Sequence, residues 1–141
     1  MKLIALDPST TAMGYAYEGG SGVLRAKGVR PQRLWMMQAE LLRLLEITWA
    51  DTVIYYRPFA RGADATRCGW GIAGVIEALA FARLAAVMDI TEGTVRKFYN
   101  FPKKAPREEL KAFARQLAGV TSDDEADAIL LYRYAMENVS R

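Results

Sequence analysis

Residues 3–15 of the chain read LIALDPSTTAMGY, and this stretch determines how the rest of the sequence is interpreted. The short apolar run at 3–6 favours a buried strand, which Pro8 ends. Asp7 is therefore expected at the end of the first strand, before a turn of small hydroxyl residues. A carboxylate at that edge of a sheet is well placed to hold a metal ion, although an Asp before a Pro is also a common turn residue.

Patterns along the rest of the chain predict a strand meander followed by helices and strands in alternation. The predicted strands are 3–6, 14–17, 22–29, 52–56 and 94–99, and the predicted helices are 31–48, 66–88, 106–117 and 122–139. The resulting order is βββ-α-β-α-β-α-α. We expect one α/β domain covering residues 1–141, with a five-stranded mixed sheet and helices on both faces.

The composition excludes several kinds of chemistry. The 141 residues include no histidine and a single cysteine, Cys68, which rules out Ser-His-Asp hydrolysis, a histidine general base and Cys- or His-rich zinc sites. One cysteine fits a reducing, cytoplasmic setting, and no apolar run is long enough to cross a membrane. The net charge of +3 permits nucleic-acid binding without requiring it.

Two further carboxylates stand three residues apart near the start of the last predicted helix. Asp124 and Asp127 therefore project from one face of that helix. Together with Asp7 they offer the oxygen ligands that Mg²⁺ or Mn²⁺ uses when it acts on a phosphodiester. The alternative is that acids in a first helical turn are solvated partners of the helix dipole.

These two regions resemble motifs of the RuvC group of Holliday-junction resolvases, which have an RNase H-like fold. Residues 3–15 resemble the first motif of the group, and 124–130, DEADAIL, resemble the last one. The resemblance implies that Asp7, Asp124 and Asp127 are the metal ligands and catalytic residues of a Mg²⁺- or Mn²⁺-dependent endonuclease. It also implies a homodimer that cuts branched, four-way DNA, in association with the nucleoid.

The central motif departs from the pattern of that group. Residues 53–59, VIYYRPF, resemble its central strand, with Phe59 at the place of an aromatic that stacks at the junction, but Tyr56 stands where a glutamate is expected. A phenol, with a pKa of about 10 and one oxygen, is a poor replacement ligand. Three explanations remain open: slow cleavage with the three aspartates alone, a substitute acid such as Asp64 or Glu77, or a branched-DNA-binding protein with lost cleavage.

The basic residues fall into two stretches that are candidates for DNA contact, the first because it lies beside the predicted metal site and the second because it resembles a DNA-contacting region of the group. The first follows the central strand and comprises Arg57, Arg61 and Arg67, which bracket Phe59; the second comprises Arg96, Lys97, Lys103, Lys104, Arg107 and Lys111. Arginine binds phosphate as a charged fork, and an aromatic can stack on an unpaired base. For the helical residues Arg107 and Lys111, a solvated face is an equal alternative.

The predicted helix over residues 69–88 is apolar on nearly all sides, which indicates either a homodimer interface or burial between other elements. An actin-like ATP-binding domain also opens with an Asp-bearing strand and a hairpin. That class needs further Gly-rich phosphate loops and about twice the length, so it is disfavoured.

Overall fold

The computed structural model describes residues 1–58 and 62–139, which build a five-stranded sheet flanked by helices. The strands are β1 (Leu3–Asp7), β2 (Ala12–Tyr17), β3 (Gly20–Arg25), β4 (Thr52–Tyr56) and β5 (Ala86–Ile90). The helices are α1 (Arg30–Thr48), α2 (Ala63–Ala82), α3 (Glu92–Phe98), α4 (Arg107–Ala118) and α5 (Asp123–Asn138). The strand order is β3-β2-β1-β4-β5, with β2 antiparallel to both neighbours and β4 parallel to β1 and β5. The predicted mixed sheet is confirmed.

The core lies on both faces of the sheet because β1 and β4 are buried on both sides. Ile4 and Leu6 pack into a cluster with the apolar faces of α1 and α2. Leu3 and Ala5, which point the other way, pack into a second cluster with α3, α4 and α5. Alternating side chains of one strand thus support helices on opposite faces, as the sequence predicted. None of the described helices is both long and apolar enough to cross a lipid bilayer.

The fifth strand is not where the sequence placed it. The helix expected to run to residue 88 ends at Ala82, and Leu84 adopts a left-handed conformation with φ of 58°. Residues 86–90, AVMDI, include good helix formers, yet they form a strand because they pair with β4. The bounds of the helix proposed for dimerisation, 69–88, are corrected accordingly, since the last six of these residues lie outside α2.

The segment predicted as a strand at residues 94–99 is part of a helix. Its β-branched and aromatic residues suggested a strand, but the Thr91 hydroxyl accepts a hydrogen bond from the Thr94 backbone N–H at 3.4 Å and caps the N-terminus of α3. Glu92 is the first residue of that helix. The element order therefore contains one more helix than predicted, directly after β5.

Candidate active site

The carboxyl ends of three parallel strands meet at one edge of the sheet. Leu6 of β1 pairs with Tyr55 of β4, so the next residues, Asp7 and Tyr56, lie side by side. Tyr56 in turn pairs with Ile90 at the end of β5. Ligand sites in open α/β sheets form at such an edge, where several strands end together.

The turn after Asp7 is fixed by its hydroxyl residues. The Ser9 hydroxyl accepts hydrogen bonds from the backbone N–H groups of Thr11 and Ala12 at 3.2 and 3.3 Å. Thr10 is buried, and its hydroxyl accepts a hydrogen bond from Arg33 Nε at 3.3 Å. The small hydroxyl residues that follow Asp-Pro thus shape the turn between β1 and β2.

The first turn of α5 is pressed against β2. A Cβ atom built on Gly14 would collide with the carbonyl group of Asp124, so glycine is required there for the close approach of strand and helix. Glu125 accepts a hydrogen bond from the Ser21 hydroxyl of β3 at 2.8 Å, which ties the same turn to the sheet. Ser122 supplies the N-cap of the helix, as the sequence predicted. Together these contacts hold Asp124 and Asp127 over the end of β1.

A cavity of about 530 Å³ opens between this edge of the sheet and α5, and it brings the three predicted aspartates together. Asp7, Asp124 and Asp127 all line it, as do two acids that the sequence reasoning missed, Glu92 and Asp123. Within the described residues, the carboxylates of Asp7 and Asp127 have no hydrogen-bond or salt-bridge partner. The cavity therefore concentrates carboxylates, of which those of Glu92 and Asp123 are paired with Arg96 and Arg115, whereas those of Asp7 and Asp127 are not.

This concentration of charge raises the proton affinity of the acids. Burial, followed by the charges of Asp127, Asp124 and Glu92, raises the pKa of Asp7 well above its ordinary value. Burial and the Glu92 charge raise the pKa of Asp127 to about 7. Burial, followed by the neighbouring charge of Asp123, also raises the pKa of Asp124. Carboxylates with raised pKa values in a cleft are typical of functional sites.

The donor set fits a hard divalent cation. All of the acids offer carboxylate oxygens, and a cation would remove the mutual repulsion that raises their pKa values. In residues 1–58 and 62–139, no three acidic or Cys side chains converge closely enough to enclose an ion by themselves. Mg²⁺ commonly binds through one or two carboxylates and keeps several waters, so an open arrangement of this kind suits it better than a closed cage.

Tyr56 is a structural residue at this edge. Its side chain is 7% exposed and belongs to the core cluster on the α5 face. Its hydroxyl donates a hydrogen bond to the Asp127 backbone carbonyl at 3.1 Å. Burial and the nearby charges of Asp127 and Asp7 raise its pKa well above the ordinary value, so the phenol stays protonated and is not an anionic ligand.

Of the two candidate substitute acids, Glu77 does not line the cavity. Glu77 accepts a hydrogen bond from the hydroxyl of Tyr55, whose side chain packs into the cluster on the α1 and α2 face, away from α5. It is therefore on the opposite side of the sheet, and its assignment as a substitute is corrected. The side chain of Asp64 lies outside the part of the chain that the structure describes.

Basic residues surround the acids. Arg57 lines the cavity and forms a salt bridge with Asp89 at 2.6 Å, while Arg107 and Lys111 of α4 line it from the other side. Arg107 is exposed, and Lys111 forms salt bridges with Glu108 at 3.7 Å and with Asp123 at 3.8 Å. Arg67 is exposed near the start of α2. Phe59 and Arg61 lie outside the described residues.

A second cavity, of about 720 Å³, gathers the other predicted DNA-binding residues. Arg96, Lys97, Lys103 and Lys104 all line it, beside the aromatic ring of Phe101. Arg96 also forms a salt bridge with Glu92 at 2.6 Å, which places it between the two cavities. The second basic stretch of the sequence is thus a surface that continues from the acidic cavity.

Strand order, helix placement and the acidic cavity together define an RNase H-like α/β protein. No protein-family model matches the chain, and no curated protein matches it in sequence. Solved structures do match. RuvC of T. thermophilus in complex with a Holliday junction substrate aligns with a TM-score of 0.74 and 19% identity over 98% of this chain and 97% of that one. A second structure, of Thermus thermophilus RuvC, aligns with a TM-score of 0.74 and 18% identity over 97% of this chain and 96% of that one.

A viral protein has the same fold. The Fowlpox virus resolvase, solved with substrate Holliday junction DNA, aligns with a TM-score of 0.61 and 14% identity over all of both chains. Because these identities are low, the comparisons show the fold. The fold expected from the sequence motifs is confirmed.

Proposed function

We propose that this chain is a metal-dependent endonuclease that binds and cleaves Holliday junctions or other branched DNA, with residues 1–141 acting as one nuclease domain. The observation that carries the proposal is the cavity in which Asp7 of β1 meets Asp124 and Asp127 of α5. It is supported by the similarity in fold to two proteins whose structures contain Holliday junctions. Such a protein would act in the cytoplasm, where it would be associated with the nucleoid.

Asp7, Asp124 and Asp127 are the residues that would hold Mg²⁺ or Mn²⁺. The bound ion would supply Lewis-acid stabilisation of the phosphodiester and an activated water. Lys111 and Arg107 offer positive charge to the phosphate inside the same cavity. Tyr56 holds the backbone of Asp127 in place through its hydroxyl.

The DNA would follow the basic residues outward from the cavity. Arg57 directly follows β4 and lines the cavity, Arg67 is exposed on α2, and Phe59 and Arg61 stand between them in the sequence. Arg96, Lys97, Lys103 and Lys104 line the second cavity and would contact phosphates. Contacts to phosphates do not read the base sequence. We therefore propose that the protein recognises the shape and charge of the DNA.

A second copy of the chain is the proposed protein partner, through the outward face of α2. Trp70, Gly74, Ala78 and Phe81 fall at helical spacing on that face, and Trp70 and Phe81 are 52% and 81% exposed. Exposed aromatics in a stripe are typical of an interface. Two symmetric cuts require two active sites, which a two-fold dimer provides.

Replacing Phe81 with Glu should convert a dimer to a monomer in sedimentation analysis. A wild-type protein that is already a monomer would refute the interface.

Cleavage of a synthetic four-way junction tests the nuclease proposal. With Mg²⁺ or Mn²⁺ we expect paired, symmetric nicks that Asp7→Asn and Asp127→Asn each abolish. Asp51→Asn is the matched control, because Asp51 is exposed at the opposite end of the sheet, where it accepts a hydrogen bond from the Lys2 backbone at 3.1 Å. Cleavage that survives both cavity variants would refute the assignment.

Tyr56 favours one alternative function, a branched-DNA-binding protein with lost or weakened cleavage. A buried, protonated phenol cannot bind a cation as a carboxylate does. Retained junction binding without nicks at any divalent ion concentration would support this alternative. A large gain of cleavage in Tyr56→Glu would identify the tyrosine as the cause.

A further inference from the structure

The end of β5 places an acid beside the position that lacks one. Tyr56 pairs with Ile90, and the Arg57 backbone N–H donates to the Ile90 carbonyl at 2.9 Å, so β4 and β5 end side by side. Glu92 follows two residues later, as the first residue of α3, and lines the same cavity as Asp7 and Asp127. A carboxylate is therefore available at the cavity, one strand away from its expected place.

We propose that Glu92 supplies the metal-binding carboxylate that Tyr56 cannot, so that the acids of the site come from β1, α5 and the end of β5. This inference rests on the proposed nuclease function and deepens it. It replaces both of the substitutes suggested by the sequence, Asp64 and Glu77.

The charges of the site agree with this placement. Glu92 lines the same cavity as Asp7, Asp127 and Tyr56, so its charge acts on the same small volume. The carboxylates of Asp7 and Asp127 are enclosed at that volume without a hydrogen-bond or salt-bridge partner among the described residues. Unpaired carboxylates that share a cavity with a third acid would be stabilised by a bound cation.

Glu92 is already oriented by a neighbour. Arg96, four residues on along α3, donates from Nη2 to Glu92 Oε1 at 2.6 Å. Among the described residues, no hydrogen bond is made to the other oxygen, Oε2. Arg96 therefore fixes the carboxylate through one oxygen and leaves the second free for a ligand.

Tyr56 has a structural role at the position where a glutamate was expected. Its ring fills the core beneath the cavity, and its hydroxyl holds the Asp127 carbonyl. Tyr56 thus positions α5, while Glu92 provides the charge. In this arrangement Tyr56 of β4 and Glu92, the first residue of α3, share the structural and chemical tasks of a glutamate at position 56.

Mn²⁺ binding measured by isothermal titration calorimetry on the DNA-free protein tests the proposal directly. Glu92→Gln should weaken Mn²⁺ binding by about tenfold or more, since removing even an indirect partner of a metal site costs that much. Glu77→Gln is the matched control and should bind as the wild type does. Adding Tyr56→Glu to Glu92→Gln should restore binding, because the carboxylate returns to the neighbouring strand end.

A second double variant separates metal binding from an effect on Arg96. If Glu92 served only to neutralise Arg96, then Glu92→Gln combined with Arg96→Met would regain wild-type Mn²⁺ affinity, and that result would overturn the proposal. Equal affinities of Glu92→Gln and wild type would overturn it as well. Glu92→Ala should reproduce Glu92→Gln.

The outcome for Glu92 is distinguishable from the outcome for the nuclease itself. A wild-type protein that cleaves four-way junctions while Glu92→Gln cleaves and binds Mn²⁺ equally well would refute the Glu92 role alone. A wild-type protein that neither binds Mn²⁺ nor cleaves would refute the nuclease proposal on which it rests.

Discussion

Removing divalent ions should make the stability of this protein fall as the pH rises from 5 to 7. Burial and the Glu92 charge raise the pKa of Asp127 from an ordinary 3.8 to about 7 in the folded state. Between these two values the folded protein holds a proton that the unfolded chain has already lost. Stability is therefore greatest at the acidic end of this window and is lost as the pH approaches the folded pKa.

The magnitude follows from the width of that window. A tenfold change in proton affinity corresponds to ~1.4 kcal/mol, so the ionised Asp127 costs the folded state about 4 kcal/mol above pH 7. About 2 kcal/mol of this loss lies between pH 5 and pH 7, because Asp127 is only half ionised at pH 7. For a chain of this size, that change lowers Tm by roughly 8 °C. Asp7, whose pKa is also raised, contributes in the same direction.

Thermal unfolding in EDTA between pH 5 and pH 8 measures the effect. The Asp127→Asn variant should weaken the pH dependence, because it removes both its own ionisation and its repulsion of Asp7, while the effect of burial on Asp7 remains. The control Asp51→Asn should keep the wild-type difference, since Asp51 lies outside the cavity. Mg²⁺ should raise Tm more at pH 8 than at pH 5, because it binds ionised carboxylates. A wild-type Tm that is constant or rises from pH 5 to pH 7 would refute the reasoning.

Three further results are expected. Gly14→Ala should destabilise the protein by about 1–3 kcal/mol in denaturant unfolding, since the added methyl group collides with the first turn of α5; an unchanged midpoint would contradict this. Tyr56→Phe should cost about 1 kcal/mol by losing the hydrogen bond to the Asp127 carbonyl, and full stability would count against a positioning role. Replacing both Lys103 and Lys104 with Ala should weaken junction binding and flatten its salt dependence while leaving Mn²⁺ affinity unchanged; an unaltered salt slope would remove the second cavity from the DNA path.

Local patterns were sufficient to locate the first strand and the last helix, and they identified Asp7, Asp124 and Asp127 as a group. An apolar run stopped by Asp-Pro and a Ser cap three residues before a Glu are short-range signals. The structure brings these three acids to one cavity. The collision that makes Gly14 necessary could not be predicted, because it involves a contact between residues more than one hundred positions apart.

Glu92 was missed because the identity of its segment depends on tertiary pairing. Residues 86–90 lie at the exposed edge of the sheet and include Ala and Met, so their composition favours a helix, and only the pairing with β4 makes them a strand. With the fifth strand placed too late in the chain, Glu92 fell in a connecting segment. The Thr91 cap, three residues before Thr94, was the local signal that could have revealed the start of α3.

The geometry of a parallel sheet gives a general reason why an acid can change strands. A cation can be bound by oxygens from any element, provided that they lie at suitable distances from it. The ends of adjacent parallel strands are only about 5 Å apart in the hydrogen-bonding direction. A side chain at the end of β5 can therefore reach a volume that a glutamate at the end of β4 would occupy. If Glu92 supplies this carboxylate, the tyrosine at position 56 does not by itself argue against catalysis. The rescue of Glu92→Gln by Tyr56→Glu would demonstrate the equivalence of the two positions, since no role confined to α3 or to Arg96 predicts it.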